Sequence, residues 1–144
     1  MDRVITIDGK EVGFRATALT PRLYRHRMGR DVVQDLNRLR RSYGKALAGV
    51  PELVVPENAT DEEKAELTQL HEQAVQDAQL SATDLEIFEN IAFVTARQYA
   101  PDKVPDNPEE WLDTFQTFSI YEILPTILEL WQLNQHTTST TKNQ

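Results

Sequence analysis

The residue types in this chain that could do chemistry are three histidines and several close sets of acids, and their spacing decides what they can do. His26, His71 and His136 stand alone. None lies three or four residues from another histidine, as two ligands on one helix face would, and none belongs to an HExxH pattern. No serine has a GxSxG context, so nothing singles out a Ser-His-Asp set. The absence of cysteine excludes a thiol nucleophile, a Cys-ligated zinc and an iron-sulfur cluster. The acids Glu62-Glu63, Glu109-Glu110, Asp84/Glu86/Glu89 and Asp102/Asp106 mostly fall where helices start, a place the helix dipole favours for negative charge. A glycosidase needs buried acids beside aromatic platforms, and calcium needs EF-hand spacing that is absent. The chain therefore reads as a non-enzymatic protein with no cofactor and no metal.

What is left is chemistry of recognition. Arg22, Arg25, Arg27, Arg30, Arg38, Arg40, Arg41 and Lys45 form a basic segment between apolar positions at helical spacing. It suits a self-association seam or, as an alternative, a nucleic-acid patch in which Tyr24 and Tyr43 stack on bases. No helix-turn-helix or RNP pattern accompanies it, so nucleic acid is the lesser expectation. Residues 1–50 carry eleven Lys and Arg against five Asp and Glu, a balance of +6, while residues 51–144 carry four against eighteen, or −14, which together give the net −8. Such polarity serves head-to-tail assembly, in which the basic half of one copy meets the acidic half of the next, or pairing within one chain. The stronger signal is apolar. Phe88, Phe93, Tyr99, Trp111, Phe115, Phe118, Tyr121, Leu130 and Leu133 supply more aromatic and aliphatic surface than a small core with one polar helix covers, and are candidates for a partner interface.

These residues need elements to hold them. At 144 residues the chain has the size of one domain, expected to span 1–133 and to be followed by a flexible polar tail over 134–144. Asp8-Gly9 between alternating apolar residues predicts a β-hairpin over 3–18, with Ile5, Ile7, Val12 and Phe14 on one face. That face must lie on helices or join strands of another copy. Helices follow over about 21–48, with a break at Gly29, and over 60–79, 82–100, 108–116 and 120–133. Thr20, Thr60, Ser81, Asn107 and Ser119 are the predicted N-caps. The fold class is α+β, mainly α: an N-terminal hairpin, then about five helices. Residues 111–133 are the most apolar stretch and are expected at the centre of the domain or against another chain, with Ile120, Ile123, Leu124, Ile127, Leu128 and Trp131 as the stripe and Tyr121, Leu130 and Leu133 as overflow toward a partner. Pro125 should bend that helix or delay its start. Neither a membrane span nor a signal peptide is read, so the expected location is the cytoplasm.

Three stretches, VITIDGKEVGFRATALTPRLYR over 4–25, LEIFENIAFVTARQ over 85–98 and PEEWLDTFQTFSIYEILPTILELW over 108–131, resemble the tail assembly chaperones of long-tailed, siphovirus-type phages and prophages of Gram-positive bacteria. The resemblance runs end to end in pattern and order, without a catalytic signature. It implies a non-enzymatic protein of the host cytoplasm that binds the tape measure protein, keeps it soluble and promotes polymerisation of the tail tube protein around it. It further implies absence from the mature virion, self-association into oligomers, and in some members a longer form made by a programmed frameshift.

Overall fold

The computed structural model describes residues 1–78 and 80–142, with side chains through position 131 apart from position 76. In chain order these form strands β1 (Asp2–Ile7) and β2 (Lys10–Arg15), then helices α1 (Thr20–Met28), α2 (Val32–Ala48), α3 (Asp61–Asp77), α4 (Ala82–Tyr99), α5 (Pro108–Leu112) and α6 (Ile120–Lys142). The predicted class, α+β and mainly helical with an N-terminal hairpin, is the one observed. Leu133 and the polar ending over 134–144 fall outside the residues whose side chains are described. No helix among the described residues is long and apolar enough to cross a membrane.

Asp8 and Gly9 both have positive φ, 54° and 76°, as a type I′ turn requires. The register pairs Ile7 with Lys10 and Ile5 with Val12, so the four apolar side chains share a face. That face lies on this chain's own helices, with β2 against α4 and β1 beside α6. The tip is pinned as well: the Asp8 carboxylate accepts the Gln116 N–H at 2.9 Å, and the Lys10 ammonium donates to the Thr114 carbonyl.

The basic segment divides in two because Gly29 takes a left-handed conformation, φ 67°, and its N–H returns to the Arg25 carbonyl. Asp31 then caps α2 through the N–H groups of Val33 and Gln34. Thr60, Ser81 and Asn107 cap α3, α4 and α5 as their sequence positions indicate. Thr20 does not act as a cap. It is the first residue of α1, and its hydroxyl accepts the Thr17 N–H at 2.9 Å and donates to the Gln98 amide oxygen at 2.6 Å, while the Gln98 NH2 donates to the Thr17 hydroxyl at 2.7 Å. A tertiary knot to α4 replaces the local cap. At Ser119 the bonds from Glu122 and Ile123 run to the backbone carbonyl. Helix α5 stops at Leu112, short of the expected 116, and α6 starts at Ile120 with Pro125 inside it rather than after a delay.

The centre of the molecule is α4. Ile91 through Ala96 are six consecutive buried residues, which is possible only for a helix covered on every side. It meets β2, α1, α2, α5 and α6. Ala92 and Ala96 let neighbours approach, and the buried Thr95 hydroxyl is satisfied by the Ile91 and Ala92 carbonyls at 2.9 and 3.0 Å. Residues 111–133 form part of the shell around α4 and are not themselves the hub. Their stripe is buried at Ile120, Ile123, Leu124, Ile127 and Trp131, while Leu128 is only half-buried. Among the described residues of helix α3 none is fully buried, in keeping with its weak amphipathic pattern.

Charge pairs fix the helices. Asp35, buried on α2, accepts from the Tyr24 hydroxyl at 2.7 Å and from two nitrogens of Arg30 at 2.7 and 2.8 Å, joining α2 to α1. Asp84 accepts from Ser81 at 2.7 Å and from Arg38 at 3.2 Å, joining α4 to α2. Burial opposes ionisation of both acids, but the hydrogen bonds outweigh it, from Arg30 and Tyr24 on Asp35 and from Ser81, Arg38 and Ser42 on Asp84. Both carboxyls are held below their ordinary range. A folded-state pKa below the unfolded value contributes stability that is present above that value, about 3.9 for Asp, and is lost as pH falls through the folded value. Urea midpoints should therefore hold steady from neutral pH to about 5 and fall below about 4. In Asp35→Asn the neutral-pH midpoint should be lower and the acid slope shallower.

Candidate functional site

An open cleft of about 800 Å³ runs beside the hairpin, between β2, residues 99–105 and the end of α5. Its apolar surface comes from Val12, Tyr99, Val104, Trp111 and Phe115, and Lys10, Glu11, Asp102 and Lys103 supply charge around it. The far wall is held by two guanidinium groups. Arg97 donates to the carbonyls of Val104 and Pro105 at 2.8 and 3.2 Å, and Arg27 reaches from α1 to the carbonyl and carboxylate of Asp106 at 3.0 and 2.9 Å. These bonds hold down Asp106, whose exposed carboxylate also lies 3.3 Å from Arg97. The near wall depends on a glycine. Gly13 has no side chain because the Tyr99 ring occupies the place: a Cβ there would lie 2.1 Å from the nearest ring carbon. The Arg15 guanidinium covers the same ring, 5.5 Å from its centre. Gly13→Ala should displace the ring and cost about 1–3 kcal/mol. Added to Tyr99→Ala, the same change should cost almost nothing, a coupling that a double-mutant cycle measures.

The aromatic candidates do not form one exposed surface. Phe88, Phe93 and Trp111 are buried, and the rings satisfy one another. Trp111 packs edge-on against Phe115 at 5.4 Å and Phe118 at 5.2 Å, Phe93 meets Trp111 at 6.0 Å, and Phe88 meets Phe118 at 5.5 Å. This cluster takes up part of the aromatic surface, while Phe115 and Phe118 stay half-buried. Leu130, expected as overflow, is a correction: it is 0% exposed, because the buried face of α6 is wider than the stripe drawn on a single helix. Half-buried Tyr121 lies 6.0 Å from Tyr43 and donates its hydroxyl to the Ala78 carbonyl, which ties α6 to the end of α3. Of the nine candidates, Tyr99, Trp111 and Phe115 are brought together at the cleft. Val12, Gly13 and Val104 join them there and were not singled out. A glycine inside a strand was the available signal, since it marks a close approach of another group.

The basic candidates divide in the same way. Arg27, Arg30 and Arg38 are bound to Asp106, Asp35 and Asp84, and Arg40 is half-buried with its Nε enclosed and without a partner. Arg22, Arg25, Arg41 and Lys45 are exposed. Bridges from Arg3 to Glu129, Arg27 to Asp106 and Arg38 to Asp84 join the basic half to the acidic half within one chain. Part of the polarity is thus used internally. His26 is exposed and His71 half-buried on α3, while the side chain of His136 is not among those described.

No family model, curated protein or solved structure matches the chain. Any functional reading therefore rests on the residues themselves.

Proposed function

We propose that this protein is a non-enzymatic tail assembly chaperone that binds the tape measure protein of a long-tailed phage, keeps it soluble and promotes polymerisation of the tail tube protein around it. On this reading it acts in the host cytoplasm, self-associates and is absent from the finished virion. The observation that carries the reading is the convergence of Tyr99, Trp111 and Phe115 on one open cleft with a charged border. An apolar floor with a polar rim is what reversible capture of a hydrophobic segment requires. Regulation of nucleic acid through residues 22–45 is the weaker alternative, since three of the eight cations are already spent on acids of the same chain.

Co-expression with a long, helical, hydrophobic tape measure protein tests the reading. The wild-type chain should raise the client's soluble fraction, and Phe115→Asp, checked for native circular dichroism, should weaken capture by about tenfold or more, as loss of an aromatic anchor does. A client equally soluble with and without the chain would refute it.

A further inference from the structure

The outer edge of β1 carries a row of backbone groups that bond nothing among the described residues. Residues along an antiparallel pair alternately exchange bonds and turn their backbone groups outward. Ile7 and Lys10 close the turn, so Ile5 with Val12 and Arg3 with Phe14 are the bonding pairs. Met1 and Ala16 continue the series, with N-to-O distances of 3.0 and 3.1 Å. The N–H and C=O groups of Asp2, Val4 and Thr6 consequently point away from β2, and no protein group among the described residues meets them. On β2 the Tyr99 ring lies where a Gly13 Cβ would project, over the face of the strand, and residues 100–105 form the opposite wall of the cleft beside it. β1 borders the same cleft through Asp2 and Val4 and is bridged to α6 through Arg3 and Glu129, yet among the described residues nothing bonds its outward backbone groups. It contains no proline and pairs with β2 without a bulge, two of the devices that normally blunt an edge. Val4, at its middle, is 51% exposed.

We propose that β1 pairs antiparallel with β1 of a second copy about a two-fold axis through Val4, making one four-stranded sheet. A row of unpaired backbone groups is satisfied only by another strand or by water, and this strand is complementary to itself. The two-fold register sets Val4 against Val4, Asp2 against Thr6 and Arg3 against Ile5 of the other copy, so no like charges meet. Each copy uses its β1 edge once, so this contact by itself joins two copies. The proposal rests on the self-association in the proposed function and gives it a surface; the pairing needs no client, so its failure would leave the client-binding part of that reading standing. Val4 also borders the cleft, and the test therefore reads association and not client capture.

The chain has no cysteine, so single cysteines report the register. Val4→Cys places two thiols about 5.5 Å apart in Cα spacing across the axis, within reach of a short bis-maleimide. Thr6→Cys leaves its two thiols about 13 Å apart along the strands. Efficient covalent dimer from Val4→Cys and little from Thr6→Cys is the expected result; equal yields, or none from Val4→Cys, would overturn the proposal. Sedimentation equilibrium gives the second readout. Val4→Pro removes only an outward N–H, so the hairpin should survive while dimerisation weakens about tenfold or more. Val4→Lys should act in the same direction if the proline variant fails to fold. A wild-type chain that is monomeric throughout, or a folded Val4→Pro or Val4→Lys with unchanged dimerisation, would refute the pairing.

Discussion

Phe93→Ala should destabilise the domain by about 3–5 kcal/mol and lower its melting temperature by roughly 10 °C or more. Phe93 is 0% exposed in the fully buried run of α4. Its ring is held between Trp111, 6.0 Å away, and the Arg27 guanidinium, 5.4 Å from the ring centre. Truncation would open a cavity where α1, α4 and α5 meet, and none of these can close it without dragging the others. Against a total stability of about 5–15 kcal/mol, the loss removes a large share. Thermal melts followed by circular dichroism measure it. A shift under about 2 °C would contradict the position assigned to α4.

Trp131→Ala should cost a comparable ~3–5 kcal/mol, enough to unfold a marginal domain. Trp131 is buried at 5% exposure, and its indole N–H is enclosed without a hydrogen-bond partner among the described residues. Burying such a donor is itself costly, so the tryptophan contributes less than its area suggests. Trp131→Phe keeps most of the apolar volume and removes the unpaired donor, and its cost should stay below about 1.5 kcal/mol. Urea unfolding of the two variants separates the contributions. If phenylalanine were as damaging as alanine, the side chain would matter for its shape alone.

The hairpin's turn, register and apolar face could be read from sequence because their determinants are local, whereas its end near 18 could not, since β2 stops at Arg15. Asp8-Gly9 specifies the turn, the turn specifies the register, and alternation specifies the buried face. The caps at Thr60, Ser81 and Asn107 were legible for the same reason, while Thr20 was not, since its partner Gln98 lies on α4. Apolar content pointed to residues 111–133 as the centre, yet α4 took that place. Ala92, Thr95 and Ala96 look unremarkable on a hydropathy scale but allow helices and a strand to close in from all sides. Leu130 was misplaced because one helix in isolation shows its own stripe and not how many neighbours surround it. The cleft was only partly visible. Tyr99, Trp111 and Phe115 stood out as aromatic, but their meeting depends on a hairpin some 85 or more residues earlier in the chain and on Gly13 giving the Tyr99 ring its place.

The central claim is that a hydrophobic client is held at this cleft, and hydrogen–deuterium exchange of the full chain with and without a tape measure segment tests it most directly. Added client should slow exchange in residues 10–15, 99–105 and 111–115 and leave residues 22–45 unchanged. Protection confined to residues 22–45, with the cleft exchanging as fast as in the free protein, would contradict the account.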